Sequence, residues 1–200
     1  AFILAGALME AAGVSRRLVD IAETMTGPIT GGLGVATVMA CIFFGAISGS
    51  GPATTAAVGM LMIPAMVNRG YDRSYASAIT ASSGGLGVII PPSVAMIIYG
   101  VVNGVSITEM FLAGFLPGLM VGLSLMATAI IMASLKGYGE RQPFHLTPWL
   151  RDVGRAVWRA SLSLFLPIII LGGIFGGYVT ATEAAGLAVL LGVRLLGGSR

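Results

Sequence analysis

The sequence predicts an all-α polytopic membrane protein, and three observations support this fold class. The chain has 200 residues, of which 56% are hydrophobic and only 10% charged, whereas a soluble domain carries charge on about a quarter of its residues. The segments do not alternate polar and apolar residues as barrel strands do. A helix of about 20 apolar residues crosses a bilayer. Four longer stretches contain no charged side chain: residues 24–68, 74–108, 110–135 and 160–182.

The first predicted element is a partial helix over residues 1–13. These residues already have the composition of an apolar helix, and neither an initiator methionine nor a complete signal peptide precedes them. We therefore expect the sequence to be a fragment. Cys41 is the only cysteine, which excludes an internal disulfide, and we interpret it as a small buried side chain.

The second predicted element is a hairpin over residues 31–67, with arms at 31–47 and 53–67. Small, neutral and helix-breaking residues separate the arms, in the run Gly45-Ala-Ile-Ser-Gly-Ser-Gly-Pro-Ala-Thr-Thr55. An ordinary external loop would carry charged or bulky polar residues. The run therefore favours a re-entrant hairpin whose tip is buried in protein, where irregular backbone is tolerated. Two full membrane spans are the alternative that the arm lengths also permit.

The third predicted element is a broken helix over residues 74–103. Its interruption is the run Ser82-Ser-Gly-Gly-Leu-Gly-Val-Ile-Ile-Pro-Pro-Ser93. Two successive prolines inside a helix would each cost about 3 kcal/mol or more, so the helix must break here. The break exposes carbonyl groups of one half-helix and amide groups of the next, which is unfavourable in lipid unless something binds them.

Two such breaks facing each other would form a binding site. Carbonyl and hydroxyl oxygens suit a hard cation, and the absence of a counter-charge favours a monovalent one; helix N-termini suit an anion. The structural alternative is that both breaks are kinks with close-packing glycines. We assign that packing role to Gly114, Gly118 and Gly122 in the predicted helix 109–135.

The remaining segments are an amphipathic region over residues 136–160 and a further membrane segment over 161–200. Thr147 and Pro148 are typical of a helix N-cap and first helical residue. Trp149 and Trp158 follow, among arginines that recur every four residues at 151, 155 and 159. This pattern predicts a helix along the membrane interface, with its tryptophans among the headgroups and its arginines toward phosphate. An ordinary solvated loop is the alternative.

The basic residues fix the predicted orientation. All eleven Lys and Arg residues fall on one side of the membrane if the chain follows the path described next. Residues 1–13 descend, 31–67 go up and return, 74–103 ascend, 109–135 descend and 161–179 ascend. The positive-inside rule makes that side cytoplasmic. The net charge of +3 is thus explained by topology, without a nucleic-acid partner.

The sequence argues against several other classes of protein and leaves two alternatives open. A serine hydrolase at Ser48 or Ser50 lacks a base, because the single histidine, His145, lies in the basic segment and no Lys or Asp occurs in the charge-free stretches. His145 also has no partners at metal-ligand spacing, so we expect no transition-metal site. The run 49–54 lacks the third glycine of a dinucleotide fingerprint. An ion channel and a non-transporting structural subunit remain as alternatives.

The ordered motifs resemble the large membrane subunit of tripartite ATP-independent periplasmic (TRAP) transporters, the DctM-like family. The resemblance is strong from Phe2 to Leu119 and resumes after the segment around 136–160. Ala181 stands where the family usually has proline. The motifs are Phe2-Ile-Leu-Ala-Gly6, Phe43-Phe-Gly-Ala-Ile-Ser-Gly-Ser-Gly-Pro-Ala-Thr54, Ile63-Pro-Ala-Met66, Gly70-Tyr-Asp72, Ile89-Ile-Pro-Pro-Ser93, Tyr99-Gly100, Phe111-Leu-Ala-Gly-Phe-Leu-Pro-Gly118, Leu171-Gly-Gly-Ile-Phe-Gly-Gly177 and Thr182-Glu-Ala-Ala185.

The resemblance implies an elevator-type sodium symporter of the ion-transporter superfamily in the bacterial inner membrane. Residues 1–135 would be most of the first of two inverted repeats, and 161–200 the start of the second. The implied partners are a small four-helix (DctQ-like) membrane subunit and a periplasmic binding protein. The binding protein would deliver an organic acid anion such as a C4-dicarboxylate or sialic acid.

The resemblance also implies which residues hold the ion, with sodium as the coupling ion and no other cofactor. Thr54 would contact the substrate or support the ligands. The implied sodium ligands are Ser48, Gly49, Ser50 and Gly51 at the hairpin tip and Ser83, Gly87, Pro91 and Ser93 at the break.

Overall fold

The chain is an assembly of packed helices. The computed structural model describes residues 2–138 and 146–198, and the elements within these ranges are all helical, which confirms the predicted all-α class. They are α1 (Phe2–Ala11), α2 (Val14–Thr26), α3 (Gly32–Ser48), α4 (Gly51–Asn68), α5 (Arg73–Gly84), α6 (Leu86–Ile89), α7 (Val94–Asn103), α8 (Ile107–Lys136), α9 (Leu146–Arg159), α10 (Ser161–Phe175) and α11 (Ala181–Gly198).

The N-terminal region contains two helices where the sequence predicted one. Gly13 has a φ of 75° and separates α1 from α2. Helix α2 is amphipathic: its buried face includes Val14, Leu18 and Ile21, while Arg17 lies on the exposed face. The apolar residues pack mainly against α3. The sequence predicts no helix at residues 14–26, because the charged residues there obscure the apolar spacing.

Helices α3 and α4 form a helical hairpin whose turn consists of Gly49 and Ser50. Gly49 ends α3 in the left-handed conformation, with a φ of 62°, and its N–H donates to the Gly45 carbonyl at 2.9 Å. Ser50 is extended, and Pro52 lies in the first turn of α4, where a missing amide donor costs nothing. Glycine and proline thus stop one helix and start the next within two residues.

The next segment is interrupted at the proline pair. Helix α6 ends at Ile89, Ile90 is extended with a ψ of 127°, and the Pro91-Pro92 bond is cis. Helix α7 then begins after Ser93, whose side chain accepts a hydrogen bond from the Met96 N–H. The segment therefore consists of α5 and the short α6 on one side of the break and α7 on the other.

The long helix α8 packs through its glycines against the proline break and against α3. A Cβ on Gly114 would lie 3.0 Å from the Ile89 carbonyl oxygen, one on Gly118 would lie 2.8 Å from Ile90 Cγ1, and one on Gly122 would lie 2.9 Å from Ile42 Cδ1. These distances confirm the packing role predicted for the three glycines, because any side chain there would push α8 away.

Within the described ranges, two segments are long and apolar enough to cross a bilayer by length and composition. They are Arg73–Asn103, which contains the break, and Ile107–Lys136. Helix α8 leaves many large apolar side chains exposed, including Leu116 and Leu135. Such a surface is unsuited to water and suited to lipid or to further protein.

Helix α9 packs against α2. The indole N–H of Trp149 donates to the Thr24 carbonyl at 3.1 Å, a contact that the sequence did not predict, whereas Trp158 is 81% exposed. Thr147, predicted to be the N-cap, lies within the helical range Leu146–Arg159. His145 falls outside the described residues.

Helix α11 begins with a capping box. The Glu183 carboxylate accepts from the Thr180 N–H at 2.8 Å and from the Thr180 hydroxyl at 2.9 Å. The Glu183 N–H donates back to the Thr180 hydroxyl oxygen at 3.3 Å. Such reciprocal bonds define a helix start, so the bend before Thr182 forms with Ala181 in place of the family's proline. Helix α11 packs closely against α1.

Candidate functional site

The tip of the hairpin and the break in the following segment lie in direct contact. The Val94 N–H, the first amide of α7, donates to the Gly49 carbonyl at 3.1 Å. A Cβ on Gly49 would lie 2.5 Å from the Pro92 carbonyl oxygen. We call this region, formed by residues 48–51 and 54 of the hairpin and by residues 83–94, the junction.

Glycines allow the two backbones to approach this closely. A Cβ on Gly87 would lie 2.5 Å from Thr54 Oγ1 and 2.9 Å from the Ser50 carbonyl oxygen. A Cβ on Gly45 would lie 2.8 Å from the Gly87 Cα, and one on Gly51 would lie 3.3 Å from the Gly84 carbonyl oxygen. Any larger residue at these positions would separate the hairpin from the broken segment.

A hydroxyl network organises the hairpin tip. Thr54 donates its hydroxyl hydrogen to the Ser50 carbonyl at 2.8 Å. The Thr54 and Ser48 hydroxyl oxygens are 3.0 Å apart and share a hydrogen bond. Thr54 is fully buried. It bonds to two of the predicted ligands, the Ser48 hydroxyl and the Ser50 carbonyl.

The predicted ligands of the broken segment differ in their bonding. Ser83 is fully buried, and its Oγ has no hydrogen-bond partner among the described residues. Ser93, also fully buried, caps α7 by accepting from the Met96 N–H at 3.4 Å. Pro91 is buried in the turn between α6 and α7. An unpaired buried hydroxyl carries a desolvation cost of about 1–3 kcal/mol, so Ser83 is the member whose bonding is incomplete.

Four helix ends meet at the junction, and the predicted ligands there are uncharged. Helices α3 and α6 end at it, and α4 and α7 begin at it. The C-terminal ends offer carbonyl oxygens with partial negative charge, and the N-terminal ends offer amides with partial positive charge. The junction therefore combines a neutral oxygen environment suited to a cation with the N-terminal ends of two helices, of which the first amide of α7 is bonded to the Gly49 carbonyl.

Within the described part of the chain, no group of three or more His, Cys, Asp or Glu side chains comes close enough together to hold a metal ion. The donors at the junction are instead hydroxyl and carbonyl oxygens. Oxygen ligands of this kind suit hard cations rather than transition metals.

The structure adds residues that the sequence reasoning did not single out. Gly45 and Gly84 permit the backbone approach, since a Cβ on Gly84 would overlap the Thr55 side chain. The Val94 amide supplies the bond that joins the two interruptions. Gly84 lies three residues before Gly87 in the same glycine-rich run, which was the available signal for Gly84. No sequence signal marks Val94, because its role is a backbone hydrogen bond that depends only on the position of the Gly49 carbonyl.

Comparisons with known proteins place the chain in a family. Residues 1–196 match the family model described as "Tripartite ATP-independent periplasmic transporter, DctM component". The isethionate TRAP transporter permease protein DctMQ of Oleidesulfovibrio alaskensis is 48% identical over 193 residues, which are 96% of this chain and 30% of that protein. The C4-dicarboxylate TRAP transporter large permease protein DctM of Pseudomonas aeruginosa is 43% identical over 94% of this chain and 43% of its own length.

The sialic acid TRAP transporter large permease protein SiaM of Vibrio cholerae is 38% identical over 97% of this chain and 44% of its own length. The chain thus spans less than half the length of these relatives. These proteins are transport permeases rather than enzymes, in agreement with the absence of a catalytic constellation predicted from the sequence. On the family match and on these identities, the chain belongs to the DctM component family of TRAP transporters.

Proposed function

We propose that this chain provides a sodium-binding half of a sodium-coupled secondary transporter that imports an organic acid anion. The observation that carries the proposal is the junction, in which uncharged oxygens of two separate helix interruptions meet in a buried position. Sodium is a hard monovalent cation, and neutral oxygen ligands can bind it without the strong retention that a carboxylate would add.

The ligand set proposed for sodium is the set predicted from the sequence: Ser48, Gly49, Ser50, Gly51, Ser83, Gly87, Pro91 and Ser93. Ser83 is the strongest side-chain member, because its buried Oγ has no hydrogen-bond partner among the described residues. Ser48 and the Ser50 carbonyl already bond to Thr54. Both have a further lone pair for an ion.

The N-terminal ends of α4 and α7 support an anionic substrate. Their amide ends lie at the junction, and helix N-termini stabilise negative charge. The relatives are named for isethionate, C4-dicarboxylates and sialic acid, which are all acids. The substrate itself would bind between this repeat and a second one, with delivery by a periplasmic binding protein and support from a small four-helix subunit.

The hairpin is proposed to be re-entrant and to move with the broken segment as an elevator in the bacterial inner membrane, with the basic ends of the helices cytoplasmic. Its arms, α3 and α4, are 17 and 18 residues long. The bond between Gly49 and Val94 and the glycine contacts couple the hairpin to α5, α6 and α7. A rigid pair of interruptions can carry an ion as one unit.

Uptake by the reconstituted full-length permease with both partners tests the proposal. We expect substrate accumulation with an inward sodium gradient, and at least about tenfold less when potassium replaces sodium, which corresponds to about 1.4 kcal/mol. Accumulation that is unchanged in potassium would eliminate sodium coupling. Ionic current in the absence of the binding protein would favour the channel alternative.

Thiol labelling tests the re-entrant hairpin separately. In a Cys41→Ala background, Ser50→Cys should resist a membrane-impermeant reagent added from the periplasm in the inward-facing state. Asn103→Cys, at an exposed helix end, should react readily. Equal reactivity at both positions would instead support two full spans.

A further inference from the structure

A second polar cavity lies away from the junction, at the end of the fold where α2, α4 and α8 terminate. Its volume is about 490 Å³, and its polar lining includes Glu23, Arg69, Tyr71 and Tyr138. Backbone of the 27–32 turn completes the wall. We call it the Glu23–Arg69 cavity. None of its residues belongs to the predicted ion site.

Opposite charges share this cavity without pairing. Arg69 is close enough to stabilise the Glu23 carboxylate electrostatically. Among the described residues, however, no ion pair within 4.0 Å joins them, and the one pair recorded is Arg155 with Asp152. Burial is the largest influence on Glu23 and raises its pKa above the usual 4.5. A half-buried carboxylate that lacks a direct cationic partner is incompletely compensated.

The aromatic rings of Tyr71 and Tyr138 line the cavity together with the two charged side chains. The rings of Tyr71 and Tyr138 stack with centroids 4.9 Å apart, and Tyr75 lies 5.5 Å from Tyr138. Tyr71 is only 4% exposed, which fixes its ring. An ammonium group binds favourably to a tyrosine face, and a carboxylate nearby adds a charge-assisted hydrogen bond. The Glu23 side of the cavity therefore suits a primary ammonium.

The Arg69 side suits an anion. A guanidinium presents several N–H donors in a planar fork that matches phosphate. The volume of about 490 Å³ is much larger than a single ion requires, so a ligand that carries both groups fills the cavity better than either group alone. A phosphate joined to an ammonium by a two-carbon link has this charge pattern.

The position of the cavity relative to α8 points to the source of such a ligand. Ile107–Lys136 is long enough to cross a bilayer, and Gly137 and Tyr138, directly after its end, line the cavity. The cavity then lies at the depth of lipid headgroups, where tyrosine and arginine are favoured. From the charges, the rings and this depth we infer that the Glu23–Arg69 cavity binds a phosphoethanolamine group.

Thermal unfolding of the delipidated full-length permease tests the inference. Phosphatidylethanolamine should raise the Tm in a saturable way, whereas phosphatidylglycerol, which lacks the ammonium, should give a much smaller shift. Soluble phosphoethanolamine distinguishes the sources. A Tm shift with the soluble compound assigns the site to the group itself, and a shift with the lipid alone assigns it to the membrane lipid.

Two variants and a matched control complete the experiment. Glu23→Gln and Arg69→Gln should each weaken the apparent affinity for phosphatidylethanolamine about tenfold, since each removes one charge-assisted hydrogen bond. Arg73→Gln removes an arginine that does not line the cavity and should leave the affinity unchanged. Tm values without lipid verify that each variant folds.

Three results would overturn the inference. They are equal shifts with phosphatidylglycerol and phosphatidylethanolamine, the same loss in Arg73→Gln as in Arg69→Gln, or no shift with any phosphoethanolamine compound. The first would reduce the cavity to a non-selective anion contact. Sodium-dependent uptake does not enter the readout, so the outcome is independent of the proposed transport function.

Discussion

The junction and the Glu23–Arg69 cavity are two polar regions inside an otherwise apolar fold, and they are built in opposite ways. The junction uses hydroxyl and backbone groups without formal charge, while the cavity sets a carboxylate opposite a guanidinium. Charge deep in a membrane segment is costly, whereas charge near a helix end can reach water or headgroups. The comparison shows how position along a helix determines which polar chemistry the chain can use.

The two regions also differ in what holds them together. At the junction, backbone approaches backbone, so glycine is required at the contacts. At the cavity, charged and aromatic side chains line an open volume. Substitutions should therefore have large effects on ion coupling at the junction and modest effects on stability at the charged periphery.

The largest effect is expected for Gly49→Ala. The new Cβ would lie 2.5 Å from the Pro92 carbonyl oxygen, and overpacking of this kind costs about 1–3 kcal/mol. Sodium affinity measured by uptake should fall about 5-fold to 100-fold. Gly104→Ala is the matched control, because Gly104 has a φ of 64° but no atom within 4 Å of the Cβ position. Equal losses in both variants would show that backbone strain, not contact, is responsible.

The second-largest effect on sodium affinity is expected for Thr54→Val. It removes the hydroxyl that bonds Ser48 and the Ser50 carbonyl, at a cost of about 1–3 kcal/mol for the groups left unpaired. The sodium concentration for half-maximal uptake should rise about tenfold, and Thr54→Ser should restore it.

The control for Thr54 is Thr37→Val. Thr37 is also fully buried and also bonds the carbonyl four residues earlier, at 2.8 Å, but it lies outside the junction. The sodium concentration for half-maximal uptake by the Thr37→Val variant should stay near that of the unmodified protein. A rise as large as that of Thr54→Val would mean that any buried threonine affects the ion site.

At the periphery, Trp149→Phe should reduce stability without changing sodium affinity. It removes the hydrogen bond to the Thr24 carbonyl, which contributes about 0.5–1.5 kcal/mol, so the Tm should fall by about 2 °C. Trp158→Phe, at an 81% exposed position, is the control and should be neutral. A changed sodium affinity in Trp149→Phe would contradict the separation of the two regions.

The smallest effect is expected at the capping box of α11. Hydrogen bonds from the Thr180 N–H and hydroxyl lower the pKa of Glu183 below its usual 4.5. Because the folded-state pKa is depressed, this stabilisation is present above the unfolded pKa and is lost as the pH falls through the folded value.

Glu183→Ala should therefore lower the Tm slightly at neutral pH, and the difference from the unmodified protein should shrink below about pH 4. Glu109→Ala, another glutamate in a first helical turn, controls for helix propensity. A difference that persists unchanged at low pH would rule out the carboxylate as its cause.

The sequence predicted the hairpin and the break because each is marked locally, by Gly49, Pro52 and the pair Pro91-Pro92. It did not predict α2, since its apolar residues at Val14, Leu18 and Ile21 alternate with charges and resemble a hydrophilic loop. Local patterns of helix-breaking residues can be recognised directly in the sequence. A one-sided apolar spacing among charges is much harder to distinguish from solvated chain.

The tertiary pairs were beyond reach of the sequence for a different reason. The contact between Trp149 and Thr24 joins residues 125 positions apart, and the stack of Tyr71 on Tyr138 depends on where α8 ends relative to the hairpin. No pattern in either segment specifies its partner. The contact at the junction was easier to predict, because two neutral helix interruptions of similar composition favour a shared site.

The bond from the Val94 amide to the Gly49 carbonyl makes one backbone hydrogen a natural reporter. Its exchange with deuterium requires the hairpin tip to separate from α7, whereas neighbouring amides inside α7 exchange when that helix itself opens. Comparing the two rates in sodium and in potassium would reveal whether the ion locks the two interruptions together or leaves them free to part, without any label or substitution.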